Sequence, residues 1–143
     1  MCTFDPIKKP EASQFPFANP MRKYRILLVD DNRKFLQAFR FLLQEALGDK
    51  IQLVEEAYNG QECLDLLEKN TMDVIFMDIN MPVMDGIEAT RKATMLYRDI
   101  NIIAVSFHDE LKYIKQMIEA GAKNYVIKED LNKAVLERII VRN

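Results

Sequence analysis

Three carboxylates, a hydroxyl and an ammonium each stand directly after a short apolar run in this 143-residue chain. Ile26-Leu27-Leu28-Val29 ends on Asp30 and Asp31, Val74-Ile75-Phe76-Met77 on Asp78, Ile102-Ile103-Ala104-Val105 on Ser106, and Tyr125-Val126-Ile127 on Lys128. Bare carboxylates brought together repel and raise one another's pKa. A divalent cation resolves that conflict, and all-oxygen ligation suits Mg²⁺, with Mn²⁺ as an alternative. Asp78, alone at the end of its run, could act as a carboxylate nucleophile toward a phosphoryl group. Charge developing on the phosphoryl oxygens would then be met by the metal, the Lys128 ammonium and the Ser106 hydroxyl. Taken singly, each residue has a blander reading: an Asp or Ser caps a helix or forms a turn, and a Lys is a solvated surface charge. The chemistry lies in the combination.

For these side chains to meet, the runs must be strands of one sheet. Apolar runs of about four residues, separated by amphipathic stretches of helix length, read as buried parallel strands. In open α/β sheets the working residues gather past the carboxyl ends of the strands. The expected strands are Arg25–Val29, Ile51–Glu55, Asp73–Met77, Asn101–Val105 and Asn124–Ile127, the second more polar and so at a sheet edge. Helix one begins after Asn32, a good N-cap, carries Phe35, Leu36, Phe39, Leu42, Leu43 and Leu47 on one face, and stops at Gly48. Asn59-Gly60 turns the chain into helix two, with Cys63, Leu64, Leu66 and Leu67 inward. Helix three runs from about Met84–Gly86 to Tyr97, helix four over Glu110–Ala120 until Gly121, and helix five from about Leu131 to the end. The pattern predicts an α/β fold of flavodoxin-like (βα)5 type. Its doubly wound, parallel five-stranded sheet has strand order 2-1-3-4-5 and sits in a three-layer α/β/α arrangement.

Composition narrows the function classes. A hydrophobic content of 49% and a charged content of 29% are ordinary for a soluble globular chain. The 20 basic and 22 acidic residues leave a net charge of −2, which gives no support for direct nucleic-acid binding or for an anionic membrane surface. No apolar run approaches the ~18 residues of a membrane span, and the N-terminus lacks the apolar core of a signal peptide. Cys2 and Cys63 match no metal or disulfide spacing and read as reduced thiols. The expectation is a cytoplasmic protein. Residues 1–22 hold Pro6, Pro10, Pro16 and Pro20 with Phe4, Phe15 and Phe17 in no period, and predict a flexible Pro-rich arm ahead of a domain at 23–143.

The segments Leu27-Leu28-Val29-Asp30-Asp31-Asn32, Asp73 to Gly86 with its Asp78-Ile79-Asn80-Met81-Pro82-Val83-Met84-Asp85-Gly86 run, Val105-Ser106 and Gly121 to Lys128 resemble the receiver domain of bacterial response regulators. The likeness covers about residues 23 to 141, and the Asp-x-x-Met-Pro-x-Met-Asp-Gly run is its most specific part. The resemblance implies that Asp78 is the phosphoacceptor, taking a phosphoryl group from a histidine kinase or histidine phosphotransfer protein in an Mg²⁺-dependent reaction. It implies that Asp31 and Asp78 bind the metal directly, Asp30 through water, and the main-chain carbonyl of Asn80 completes the protein ligands. Ser106 and Lys128 would contact the phosphoryl group, and Ser106 with Tyr125 would form the switch. Pro82 and Gly86 shape the loop after the acceptor. The added phosphoryl charge would bias the face built by helix four, strand five and helix five, where Lys112, Tyr113 and Lys115 lie, toward a downstream protein or a second copy of the chain.

The sequence departs from the usual receiver pattern in places. Phe107 follows the switch serine where a small residue is usual, which narrows access to the phosphoryl site. Glu129 follows Lys128, as in receivers that precede helix-turn-helix output domains, yet the chain stops at Asn143 and no output domain is expected in it. Asn80 and His108, two residues past the acceptor and the switch serine, would flank an attacking water and tune dephosphorylation. A haloacid-dehalogenase-like Mg²⁺ phosphohydrolase is one alternative, but such enzymes carry a second acid where Asn80 stands. A non-phosphorylated pseudo-receiver scaffold is the other, but its acceptor set would normally be broken. The expected function is a phosphoacceptor signalling domain, not an enzyme beyond its own phosphorylation and dephosphorylation.

Overall fold

The computed structural model describes residues 22–142, so that only Arg22 of the expected arm falls among the described residues. Five strands form: β1 Tyr24–Val29, β2 Ile51–Ala57, β3 Val74–Met77, β4 Ile102–Ser106 and β5 Asn124–Ile127. Five α-helices alternate with them: α1 Arg33–Leu47, α2 Gly60–Lys69, α3 Gly86–Leu96, α4 Leu111–Ala120 and α5 Lys133–Arg142. All strands are parallel, and the sheet runs β2-β1-β3-β4-β5. The doubly wound order expected from the sequence is the one observed.

Strand side chains alternate between two apolar layers, which is why β1, β3 and β4 read as continuous apolar runs. Ile26, Leu28, Val74, Phe76, Ile103 and Val105 pack with Leu36, Phe39 and Leu43 of α1 and with Leu136, Ile139 and Ile140 of α5. Leu27, Val29, Ile75, Met77, Ile102 and Ala104 pack on the opposite face with Cys63 and Leu67 of α2, Ala89 and Ala93 of α3 and Met117 of α4. Burial raises the Cys63 thiol pKa to about 12, as expected for a core thiol without chemistry.

Local chemistry sets the helix ends. The side chains of Asn32, Asn59 and Asp85 accept from the backbone N–H of Phe35, Glu62 and Glu88, satisfying donors at the starts of α1, α2 and α3. Gly48 ends α1 at φ 54, in the left-handed region. Several boundaries shift by one residue, and two lie two residues from the sequence expectation. β2 continues to Ala57 because its pairing with β1 continues through Leu28↔Glu56 and Val29↔Ala57, and the Glu56 carboxylate is satisfied there by Arg40 and by the Tyr58 hydroxyl. α5 begins at Lys133 instead of about Leu131, because Lys128–Asp130 form a 3-10 turn and Asn132 then caps the helix through Val135 N–H at 2.9 Å.

Candidate functional site

The strand register decides which residues meet. Val29 pairs with Met77, so Asp30 and Asp78 leave adjacent central strands at one level of the sheet. The ladder extends one step beyond the strands, with Asp30 N–H donating to Ala57 O at 3.0 Å and Asp78 N–H to Val29 O at 2.9 Å. Both acids therefore rest on fixed backbone. Carboxylate oxygens of Asp30, Asp31 and Asp78 lie within 4.8 Å of one another. Asp30 and Asp78 are buried and Asp31 is exposed. The expected acidic cluster is thus assembled, with one member open to solvent.

The electrostatics of the pocket are unbalanced toward negative charge. Lys128 reaches across from the end of β5, its Nζ donating to Asp30 Oδ2 at 2.7 Å and lying 3.7 Å from Asp78 Oδ1. Asn32 N–H donates to the other Asp30 oxygen at 2.9 Å. Burial is the main force that raises the Asp78 pKa to about 6. The charge of Asp30 adds to that rise, while Lys128 pulls against it. A third acid beside such a pair is a setting in which a hard divalent cation relieves repulsion, and the all-oxygen donor set fits Mg²⁺ or Mn²⁺.

On the far side, Ser106 is buried at the end of β4 and its hydroxyl accepts from His108 N–H at 3.1 Å. Tyr125, half-buried on the neighbouring strand, donates its hydroxyl to His108 O at 2.8 Å. Desolvation is the largest cause of its raised pKa. The loop residue His108 thus joins Ser106 and Tyr125 through its backbone. Its ring Nε2 lies 2.7 Å from Asn80 Nδ2, so the two residues expected to flank an attacking water touch each other. The same ring stacks on Tyr113 of α4 at 4.0 Å between centroids and approaches Glu110 at 3.4 Å.

The loop after β3 is held by its own backbone. Met84 N–H donates to Pro82 O at 2.7 Å across Val83, which adopts φ 70, and Gly86 N–H donates to Ile79 O at 2.7 Å. Val83 is 82% exposed, so its uncommon backbone is imposed by the turn and not by packing of its side chain. Helical spacing puts Phe35 in the core, and the position of Phe107 after Ser106 marks it as an access residue. Neither was assigned to Lys128, yet their rings lie 4.2 and 4.7 Å from its Nζ. Helical spacing marks Phe35 as inward-facing but gives no sign of which charge it meets.

Among the described residues, no helix is long and apolar enough to cross a membrane. The family model for the response regulator receiver domain matches residues 26–140. The chain is 34% identical over 119 residues to the transcriptional regulatory protein DegU of Brevibacillus brevis, covering 83% of this chain and 50% of that protein. It is 32% identical over 115 residues to the chemotaxis protein CheY of Halobacterium salinarum, covering 80% of this chain and 92% of that protein. Among solved structures it is similar to a two-component response regulator of the LuxR family from Aurantimonas sp. SI85-9A1, with a TM-score of 0.73 at 31% identity over 81% of each chain. The chain spans about half the length of the transcriptional regulators it matches. These matches do not favour the phosphohydrolase alternative. The sheet order, the acidic cluster at its carboxyl edge and the sequence likeness agree: this chain belongs to the response regulator receiver domains of two-component systems.

Proposed function

We propose that Asp78 accepts a phosphoryl group from a histidine kinase or histidine phosphotransfer protein and stores it as a switch. The observation that carries this reading is the placement of Asp78 beside a buried ammonium and two further carboxylates, with Ser106 on the neighbouring strand end and Asn80 two residues on in the loop after β3. In the transfer, an Asp78 carboxylate oxygen forms a bond to phosphorus as the phosphorus–nitrogen bond of the donor breaks, and the donor imidazole leaves with the electron pair. Asp30, Asp31, Asp78 and the Asn80 carbonyl would hold Mg²⁺, which when bound offsets negative charge on the acids and on the phosphoryl oxygens. Lys128 supplies the fixed positive charge, and Ser106 offers its hydroxyl proton, since its oxygen already accepts from His108. The Asn80–His108 pair stands where it would regulate loss of the group by water.

The response is read at the α4–β5–α5 face. A phosphoryl group adds roughly −1.5 to −2 charges, and attraction of Ser106 toward it would pull on the His108 backbone that Tyr125 also holds. That face then binds a downstream protein or a second copy. The receiver unit is taken as 23–143 and acts in the cytoplasm. Intact-mass measurement after incubation with acetyl phosphate, with and without Mg²⁺, tests the core of the proposal. One Mg²⁺-dependent phosphoryl adduct on the wild type and none on Asp78→Asn is expected; equal adducts on both proteins would overturn it.

A further inference from the structure

Lys128 is an unusual lysine for the edge of a sheet. Its side chain is 4% exposed, although the residue directly follows β5, beside the acidic cluster. The carboxylates of Asp30 and Asp78 approach its ammonium at 2.7 and 3.7 Å. Two aromatic rings also stand over it, with the Phe35 centroid 4.2 Å and the Phe107 centroid 4.7 Å from Nζ. The faces of aromatic rings carry negative potential, so a ring over an ammonium replaces part of its hydration while attracting it. Phe35 comes from the first turn of α1 and Phe107 from the loop after β4, so elements on both sides of the pocket close on one atom.

The inner ring is itself anchored. Phe35 meets Phe39 edge-on at 5.5 Å, and Phe39 meets Phe76 of β3 at 5.0 Å, so Phe35 is tied by aromatic contacts to the core of the sheet. The outer ring is not. Phe107 is 59% exposed, and no other aromatic pair or cation contact involves it among the described residues. A large apolar ring left mostly in water, with Lys128 beneath it, has the placement of a cover.

We infer that Phe35 and Phe107 form an aromatic clamp in which Phe35 is the fixed jaw and Phe107 the outer cover, holding the Lys128 ammonium dry and closing its side of the phosphoryl pocket to solvent. Phe107 is a positioning residue that acts through the lysine over which its ring stands. The inference rests on the receiver reading for its consequence, a longer-lived phosphoryl group, but the shielding of Lys128 is a property of the protein before any phosphoryl transfer.

The test separates these two levels. The wild type, Phe107→Ala and Phe107→Tyr are labelled briefly with a small water-soluble acetylating ester. Acetylation of Lys128 is read by peptide mass relative to Lys115, whose side chain is 71% exposed. Phe107→Ala should raise relative Lys128 labelling by about fivefold, the factor that a ring–cation contact of ordinary strength supplies, and Phe107→Tyr should stay at the wild-type level. After removal of acetyl phosphate, the Phe107→Ala adduct should also be lost several-fold faster than the wild-type adduct. Unchanged Lys128 labelling in Phe107→Ala overturns the clamp, and so does an unchanged adduct lifetime. If the wild type takes no adduct, the receiver reading fails, and the labelling arm alone then decides the clamp.

Discussion

Asp78 is held where its ionised form is disfavoured, and the sign of that effect predicts a stability change. Its folded pKa is raised from 3.8 to about 6, first by burial and then by the Asp30 charge, with Lys128 opposing. The folded protein therefore retains the Asp78 proton more tightly than the unfolded chain does. The stability associated with that proton is present below pH about 4 and is lost as pH rises through 6. At pH 7.5 without Mg²⁺, Asp78→Asn should stabilise the protein by on the order of 2 kcal/mol, and the gain should shrink at pH 5. Denaturant unfolding of the two proteins at both pH values checks this; an equal or reversed difference contradicts it. A second residue-scale prediction concerns the Asn80–His108 contact at 2.7 Å. Truncating either side chain to Ala opens the approach to the phosphoryl group and should change adduct lifetime several-fold. Unchanged lifetimes in both variants would remove these residues from dephosphorylation.

At the scale of elements, the site depends on how closely α3 starts to the end of β3. A Cβ on Gly86 would lie 1.8 Å from the carbonyl oxygen of Asp78, so any side chain there displaces the Asp78 backbone. Gly86→Ala should cost more than about 2 kcal/mol and reduce phosphoryl uptake. Gly48→Ala provides the contrast: nothing lies within 4 Å, and the penalty, from the positive φ alone, should be about 1 kcal/mol with uptake intact. Denaturant unfolding and intact mass on both variants separate a general loss of helix-end glycine from a local one. This scale also marks how far the sequence could be read. Strands, helix caps and the four chemistry-bearing strand ends are legible because each is local: an apolar run, an Asn before a helical period, a polar residue at the run's end. What could not be read depends on chain paths meeting in space. The Phe35–Lys128–Phe107 contact needs α1, β4 and β5 placed together, and the His108–Tyr113 stack needs the path of the loop between them. The end of β2 was misplaced for a related reason, since Glu55 and Glu56 lower strand propensity but pairing with β1 overrides it at an edge.

At the scale of the molecule, two apolar layers hold five strands rigidly and leave one edge of the sheet to carry charge. Asp30, Asp78, Ser106 and Lys128 are buried there, while Asp31 is exposed. A cation that binds this edge only in the folded state must stabilise the whole fold by mass action, by about 2.7 kcal/mol at a concentration 100 times its dissociation constant. The increment should be largest at pH above 6, where Asp78 has lost its proton and the mutual repulsion of the acids is complete. Asp31→Ala isolates this effect. Because Asp31 is exposed, its removal should alter the stability of the metal-free protein by no more than about 0.5 kcal/mol, yet it takes away one of the clustered carboxylates. Thermal unfolding should therefore show a Mg²⁺-dependent rise in midpoint for the wild type and a much smaller one for Asp31→Ala, from nearly the same starting midpoint. A rise of equal size in both proteins would mean that Mg²⁺ acts elsewhere on the surface, and the acidic edge would lose its claim to the metal.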